Sequence, residues 1–320
     1  RKNNMPSTAT AHTNIALIKY WGKKNTRLNL PTTSSISLTL DQFYTKTTVT
    51  PNSQADQLFI NGNATDATRV HNFLNNLRQY LGDFEPLTVT SNNHVPTSAG
   101  LASSASAFAA LTAATARELN FNLPLTTLSR LARRGSGSAS RSFYGHFAIW
   151  HEGIDDTSSF AESLNAPAMP IALVVAEVSD AAKKVGSTEG MRRAVTSPDY
   201  QEWLRESAKQ LVDMKQAIQH SDIEKIGAIA EKNALSMHAL NLTARQKPFT
   251  YFTCDTQRIL SIVSDLRHQG ILAFATLDAG PNVKIITTLD SAKLVEAALL
   301  SELPALHVQT ATSGSGIIYD

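Results

Sequence analysis

A run of small side chains between Leu101 and Leu119 constrains this chain more than any other feature. Positions at helical spacing within it are Leu101, Ala105, Phe108, Thr112, Thr115 and Leu119. A helix built so largely from alanine, serine and threonine carries little side-chain bulk. Something must therefore approach its backbone closely, and the fold has to place this helix at a crowded position.

The pattern around this helix changes along the chain. The first half is rich in strand-like runs, with a hairpin signal at Asn61-Gly62 and a helical stripe over residues 66–81. Residues 45–51 are expected to be the antiparallel partner of residues 35–40. The second half carries clear amphipathic helices. This order predicts an α+β fold in two lobes, residues 5–180 and 181–320, with the last strand a candidate to return to the first lobe.

Composition excludes several classes of protein. The 320 residues are 42% hydrophobic and 18% charged with a net charge of +2, which suits a large core and excludes a strongly basic nucleic-acid binder. The single cysteine, Cys254, cannot form an intrachain disulfide or a cysteine zinc site. No apolar run approaches the roughly 20 residues of a membrane helix, so a cytoplasmic protein is expected. Motifs typical of P-loop enzymes, Rossmann oxidoreductases, zinc hydrolases and α/β-hydrolases are absent.

The first segment suited to chemistry is PTSAGLASSAS at residues 96–106. Here a loop of glycine, alanine and serine leads into the helix of small residues. Backbone N–H groups and the positive helix end suit a phosphate, and the serine hydroxyls add donors. The same composition also suits a closely packed helix without a ligand, and the residues alone favour neither interpretation.

Two further segments concentrate positive charge. NIALIKYWGKK places Lys19, Lys23 and Lys24 near the end of a short strand, although a surface lysine cluster would look the same. RRGSGSASR, at residues 133–141, combines hydroxyls with guanidinium groups, which match phosphate or carboxylate geometry with two parallel bonds. A polar turn that closes a helix is the alternative interpretation of this segment.

The fourth segment is TLDAGPN, which contains Asp278. A carboxylate at the end of a buried strand, beside a Gly-Pro turn, is well placed to be a fixed base. Considered alone, however, an aspartate beside glycine more commonly forms an Asx-turn or caps a helix.

Together these segments resemble the signatures of the mevalonate diphosphate decarboxylase family. This family belongs to the galactokinase–homoserine kinase–mevalonate kinase–phosphomevalonate kinase superfamily. The similarity extends from about Ala11 to Lys284 and includes MHALNL and TLDAGPNVK. The glycine-serine loop alone indicates the superfamily, whereas NIALIKYWGK with DAGPNVK is specific to the decarboxylases. The resemblance implies a left-handed β-α-β N-terminal domain, a ferredoxin-like C-terminal domain and an active site in the cleft between them.

The resemblance also implies a reaction in the mevalonate pathway of isoprenoid biosynthesis. ATP and (R)-5-diphosphomevalonate would give isopentenyl diphosphate, ADP, phosphate and carbon dioxide. Asp278 would be the catalytic base, and Lys19 would keep it ionised. Positions that match substrate-binding residues of the family are Ala16, Tyr20, Lys23, Ser136, Gly137, Ser138, Arg141, Ser187 and Arg192. Many bacterial relatives have an arginine directly after the serine at position 187, where this chain has Thr188, so Arg192 is the candidate replacement.

The nucleotide side of the site is implied in the same way. Its matching positions are Ser91, Asn93, Gly100, Leu101, Ala102, Ser103, Ser104 and Ser106. Mg²⁺ would be held by the ATP phosphates, with Ser104 the candidate protein contact and no other metal ligand assigned. The family is often dimeric, which makes a cytoplasmic homodimer the expectation.

Three related functions remain open at this point. Mevalonate 3-kinases and phosphomevalonate decarboxylases share the scaffold, and the superfamily also contains non-enzymatic ligand-binding members. The presence of Asp278, Lys19 and Arg141 together favours the complete decarboxylase.

Overall fold

The computed structural model describes residues 7–95, 103–178 and 185–320. Its strands are β1 Ser7–Ile18, β2 Lys23–Asn25, β3 Leu30–Pro31, β4 Ser35–Pro51, β5 Gln57–Ile60, β6 Asn63–Thr65, β7 Leu87–His94, β8 Phe147–Trp150, β9 Ala161–Ser163, β10 Ile171–Glu177, β11 Phe274–Thr276, β12 Val283–Thr288, β13 His307–Thr312 and β14 Ile318–Tyr319. Its helices are α1 Thr68–Leu81, α2 Ser103–Glu118, α3 Leu125–Arg133, α4 Ser187–Ala194, α5 Tyr200–Gln219, α6 Ile223–Thr243, α7 Cys254–His268 and α8 Ala292–Glu302, with a 3-10 helix at Gly137–Phe143.

The first sheet has the strand order β14-β1-β4-β7-β5-β6, with β8 and β9 continuing from β4. Helix α2 packs against β1 and β4, and its alanines are buried almost without exception. Small side chains on the helix face Ala9 and Ala11 of β1 in the same core. The predicted close approach to this helix is therefore confirmed, and strands β1 and β4 of the first sheet are among the elements that approach it.

Strand β4 differs from the prediction. Residues 35–40 and 45–51 are not partners in a hairpin but parts of one strand of 17 residues. Its first part pairs with β8 and its last part with β7, while β1 runs along most of its length. The polar pair Asp41-Gln42 resembles a turn in sequence, yet it lies where β4 passes from one outer neighbour to the other.

The second sheet has the order β11-β12-β10-β13. Strand β10 pairs with β12 on one side and β13 on the other, so it belongs to this sheet, although a boundary at residue 180 places it in the first lobe. Its uniformly apolar sequence fits a central strand covered on both faces, but such a run does not reveal which sheet it joins. At the other end of the chain, β14 returns to the first sheet and pairs with β1.

One hydrophobic cluster joins the two sheets. It contains Ile15 and Leu38 from the first sheet, Leu173 from the second, and Met214 and Ile226 from α5 and α6. Because this core is shared, the end of β1 and the end of β11 are held at the same crevice. The residues that follow these two strands are Lys19 and, after Leu277, Asp278.

Candidate active site

A buried ion pair forms the centre of the crevice. Lys19 Nζ lies 2.8 Å from Asp278 Oδ1, and the side chains are 2% and 22% exposed. The same ammonium group donates to the carbonyl oxygen of Ala16 at 2.8 Å. These two contacts hold Lys19 against the carboxylate, and the Asp278 side chain keeps about a fifth of its surface exposed.

Lys284, on β12, is the second cation of this centre and was not predicted as a site residue. Its Nζ lies 3.5 Å from Asp278 Oδ2, and its side chain is 1% exposed. Burial alone raises the pKa of Asp278, but the charges of Lys19 and Lys284 outweigh burial and hold that pKa well below its ordinary value. A lysine in the otherwise apolar run VKIIT was the sequence signal that could have revealed it.

Arg141 lies nearby in the 3-10 helix and is 2% exposed. Its Nε donates to Asn14 Oδ1 at 3.1 Å, and its Nη1 donates to Ser35 Oγ at 2.5 Å. Burial lowers the pKa of Arg141 to about 10, so the group stays protonated at neutral pH.

Arg141 differs from Arg133, which is equally buried but forms an ion pair with Asp156. Among the described residues, no carboxylate lies within ion-pair distance of Arg141. In the described residues the hydrogen-bond partners of Arg141 are neutral, and a buried guanidinium held in this way is suited to binding an anion from outside the chain.

Gly137 shapes the wall beside Arg141. A Cβ at this position would lie 2.7 Å from Trp150 Cη2 and 2.8 Å from Tyr20 Cε1. The two rings pack edge to face with their centroids 4.7 Å apart, and Arg141 Cζ lies 5.9 Å from the Trp150 ring. Glycine is thus required for the loop to reach Tyr20, and the sequence motifs that contain Tyr20, Gly137 and Arg141 meet here.

A row of hydroxyls extends from this wall to the start of α2. Ser104 Oγ lies 3.2 Å from Ser136 Oγ, which lies 3.4 Å from Ser138 Oγ. The carbonyl of Ser138 accepts a bond from Asn14, the residue that also holds Arg141. The start of α2 is therefore linked through Ser136, Ser138 and Asn14 to Arg141, whose charge acts on Asp278 through space.

Lys23 and Arg69 add positive charge along this row. Partial burial lowers the pKa of Lys23, and the neighbouring cation of Arg69 lowers it further. The Arg69 guanidinium covers the Phe108 ring at 4.7 Å and donates to the carbonyl of Gly135. In the described ranges neither cation has a carboxylate partner. Arg69 lies on α1, whose sequence shows only an ordinary amphipathic pattern, so nothing in the sequence distinguishes this arginine.

Other predicted nucleotide positions have mainly internal contacts. Ser106 is fully buried, and its hydroxyl contacts Thr45 Oγ1 at 2.8 Å and donates to the carbonyl of Ser103. Ser91 Oγ contacts Thr47 Oγ1 at 2.8 Å, and Asn93 Oδ1 accepts from Thr45. These side chains fix α2 and β7 to β4, whereas Gly100, Leu101 and Ala102 lie outside the described residues.

Ser187 and Arg192 are exposed on α4. The Arg192 guanidinium donates to both oxygens of Glu189 and to Gln246 Oε1. No described contact joins either residue to Asp278 or Lys19. Described contacts join Lys19 and Ala16 to the centre at Asp278, and Lys23 lies beside Arg69. Tyr20, Ser136, Gly137, Ser138 and Arg141 are joined in the wall and the row of hydroxyls. Ser187 and Arg192 have no described contact with these residues.

Comparison with known proteins identifies the family. Residues 11–161 match the model of a diphosphomevalonate decarboxylase-like N-terminal domain, and residues 173–316 match the mevalonate 5-diphosphate decarboxylase C-terminal domain. The chain belongs to the diphosphomevalonate decarboxylase family. The diphosphomevalonate decarboxylase of Candida albicans is 35% identical over 302 residues, which cover 87% of this chain and 83% of that protein.

Solved structures agree with this assignment to the family. The mevalonate diphosphate decarboxylase of Staphylococcus aureus matches with a TM-score of 0.95 and 40% identity, covering 98% of both chains. A complex of MDDEF with MVAPP, AMPPCP and magnesium matches with a TM-score of 0.93 and 42% identity, covering 99% of both chains. The predicted family and the α+β two-domain fold are confirmed.

Proposed function

We propose that this chain catalyses the ATP-dependent decarboxylation of 5-diphosphomevalonate, with Asp278 as the base that accepts the proton of the tertiary hydroxyl. The observation that best supports this role is the buried Asp278 carboxylate held by Lys19 and Lys284, with part of its surface open to the crevice. Membership of the decarboxylase family supplies the reaction, and the site supplies residues for each of its steps.

Asp278 is ionised and ready to accept a proton, but its low pKa makes it a weak base on its own. An alcohol is far less acidic than a carboxylic acid, so the proton cannot move before the oxygen reacts. Proton transfer to Asp278 therefore accompanies attack of the hydroxyl oxygen on the γ-phosphorus of ATP, with ADP as the leaving group. Lys19 Nζ lies 2.8 Å from Asp278 Oδ1. During this step its positive charge stabilises the negative charge on the carboxylate and on the attacking hydroxyl oxygen.

The phosphorylated tertiary carbon then loses phosphate with carbocation character. The electrons of the bond to the carboxylate form the new terminal alkene as carbon dioxide leaves, so the products are isopentenyl diphosphate, phosphate and carbon dioxide. Lys19, Lys284 and Arg141 provide fixed positive charge beside the departing phosphate. The protein contributes mainly position and charge to this step.

The substrate would be anchored by the cations and hydroxyls next to the centre. Arg141, which has no carboxylate partner among the described residues, is assigned to an anionic group of the substrate, with Tyr20, Lys23, Ser136 and Ser138 around it. Each charge-assisted hydrogen bond of this kind contributes about 1.5–3 kcal/mol. Arg69 is added to this set because it lies beside Lys23.

The nucleotide would lie along the start of α2, where the Ser104 hydroxyl lies 3.2 Å from Ser136 Oγ. No group of three or more His, Cys, Asp or Glu side chains in the described ranges could hold a metal ion. The magnesium ion of the reaction would be bound chiefly by the phosphate oxygens of ATP, with the Ser104 hydroxyl as its contact to the protein. When bound, the ion would offset phosphate charge.

The assembly and location are proposed from the resemblance to the family. We expect a homodimer in the cytoplasm, and sedimentation of the purified protein tests the first of these. The helices of the described segments are all too short or too polar to cross a membrane.

One assay separates the decarboxylase from its alternatives. ADP and carbon dioxide release are measured together, with 5-diphosphomevalonate, its monophosphate and mevalonate as substrates. Equal amounts of both products from the diphosphate, and little from the others, support the proposal. ADP without carbon dioxide would indicate a kinase, preference for the monophosphate would indicate the sister decarboxylase, and nucleotide binding without turnover would indicate a non-enzymatic relative.

A further inference from the structure

The ion pair at the centre joins two chain segments that follow strands of different sheets. Lys19 follows the last residue of β1, and Asp278 lies two residues beyond the end of β11. Neither side chain lies within a strand, so the strand ladders do not fix their separation. Another element has to hold both chain segments at the 2.8 Å distance between Lys19 Nζ and Asp278 Oδ1.

Helix α6 contacts the Lys19 side of the pair through Asn233. The backbone N–H of Lys19 donates to Asn233 Oδ1 at 2.8 Å, and Asn233 is fully buried. The carboxamide nitrogen donates to Ser207 Oγ at 3.1 Å and to Gln210 Oε1 at 2.8 Å, both on α5. Because a backbone N–H can only donate, the oxygen of the amide must face Lys19, and α5 holds it in that orientation.

The same helix contacts the Asp278 side. His238 Nε2 lies 3.3 Å from the carbonyl oxygen of Leu277, the residue before Asp278. A carbonyl only accepts, so Nε2 carries the proton, and the buried Nδ1 has no partner in the described structure. Two turns earlier, Glu231 Oε2 accepts from the backbone N–H of Ala275 at 2.6 Å.

We infer that α6 is the positioning element of the active site, with Asn233 holding Lys19 and with His238 and Glu231 holding the segment that ends in Asp278. The inference rests on the proposed roles of Lys19 and Asp278. None of the three α6 residues contacts the reacting groups; each acts through the backbone of a segment that carries one of them. Their effect should therefore appear in the rate of chemistry rather than in substrate affinity.

The test compares variants that remove a bond with variants that keep it. Asn233→Ala removes the acceptor for Lys19. His238→Leu removes the donor to Leu277, whereas His238→Gln keeps an N–H. Ser129→Ala is the matched control, because Ser129 is fully buried and its Oγ accepts from the backbone N–H of Ala161 at 2.7 Å, away from the crevice.

A displacement of about 1 Å at a reacting group lowers the rate by about 100-fold, so we expect kcat to fall by about 10- to 100-fold in Asn233→Ala and His238→Leu. The KM for each substrate should change by less than about threefold, and His238→Gln should recover most of kcat. Ser129→Ala should lower the melting temperature without this loss. Equal loss of kcat in Ser129→Ala, or no recovery in His238→Gln, would overturn the inference.

A structural readout separates this inference from the proposed function. Crystal structures of Asn233→Ala and His238→Leu should show Lys19 Nζ and Asp278 Oδ1 about 1 Å or more further apart. An unchanged separation in both variants would refute the positioning role, whatever the activity. Failure of the wild-type protein to release ADP and carbon dioxide would refute the proposed function, and the measured separation would still decide the role of α6.

Discussion

Lys19→Met is the substitution that tests the electrostatics of the centre most sharply. Methionine approximates the length of the lysine side chain but removes the charge that lies 2.8 Å from Asp278 Oδ1. At an effective dielectric constant of about 20, two unit charges at this distance attract by about 6 kcal/mol. Since one pKa unit corresponds to about 1.4 kcal/mol, the full loss would raise the pKa of Asp278 by about four.

The expected rise is smaller, because Lys284 remains 3.5 Å from the other carboxylate oxygen and water enters the space of the lost ammonium group. We expect the pKa of Asp278 to rise by about two or more, because only part of the positive charge that offsets the effect of burial remains. Removing one partner of a buried pair should also lower the free energy of unfolding by about 3 kcal/mol.

The assay is the pH dependence of kcat/KM, whose acid limb reports the essential base of the free enzyme. In the wild-type protein Asp278 should not limit the acid side, because its pKa is far below the working range. In Lys19→Met the acid limb should move to higher pH, while Lys19→Arg, which keeps the charge, should retain the wild-type limb. If the acid limb of kcat/KM lies at the same pH in the wild type and in Lys19→Met, Lys19 acts only by position and this account is refuted.

Three further outcomes follow from the geometry. Arg141→Lys should raise the KM for diphosphomevalonate by about tenfold or more, the value of one charge-assisted hydrogen bond, with a smaller effect on nucleotide affinity; equal losses would indicate a purely structural arginine. Gly137→Ala should lower the free energy of unfolding by about 1–3 kcal/mol and raise the same KM, because its Cβ would lie 2.7 Å from Trp150 Cη2; an unchanged melting temperature would show that the loop can move. His238→Gln should reduce acid sensitivity, since burial lowers the pKa of His238 from 6.5 to about 4. Between these two pH values the unfolded chain binds a proton at His238 that the folded protein does not bind. The free energy of unfolding, measured in urea, should therefore fall by about 2 kcal/mol more in the wild type than in the variant between about pH 7 and about pH 5. Equal falls in the two proteins would show that His238 does not cause the loss.

Local patterns in the sequence predicted local structure well. The stripe of Val70, Phe73, Leu74 and Leu77 forms the buried face of α1, and Asn61-Gly62 forms the turn between β5 and β6 with both residues at positive φ. Periodicity and turn chemistry depend only on neighbouring residues, so a single sequence is sufficient for them.

Pairing between distant segments could not be predicted in the same way. The apolar run of β10 is equally compatible with either sheet, and Asp41-Gln42 looks like a turn although β4 continues through it. Both outcomes depend on which strands lie alongside, and these come from distant parts of the chain.

The site shows the same division. Motifs identified Lys19, Arg141 and Asp278, because charged residues in glycine-rich or strand-end positions stand out from the core pattern. Lys284 and Asn233 occupy positions in an apolar strand and a helical stripe, and the single lysine in VKIIT was the one sequence signal for either of them. Their roles became visible only from the contacts to Asp278 Oδ2 and to the Lys19 backbone.

Turnover of Asp278→Asn tests the central claim most directly. Asparagine keeps the size of the side chain but cannot accept the hydroxyl proton, so ADP release with diphosphomevalonate should fall by roughly 10²–10⁴. Nucleotide affinity, measured by titration on the same variant, should stay close to that of the wild type. Turnover near the wild-type rate would contradict the assignment of Asp278 as the base.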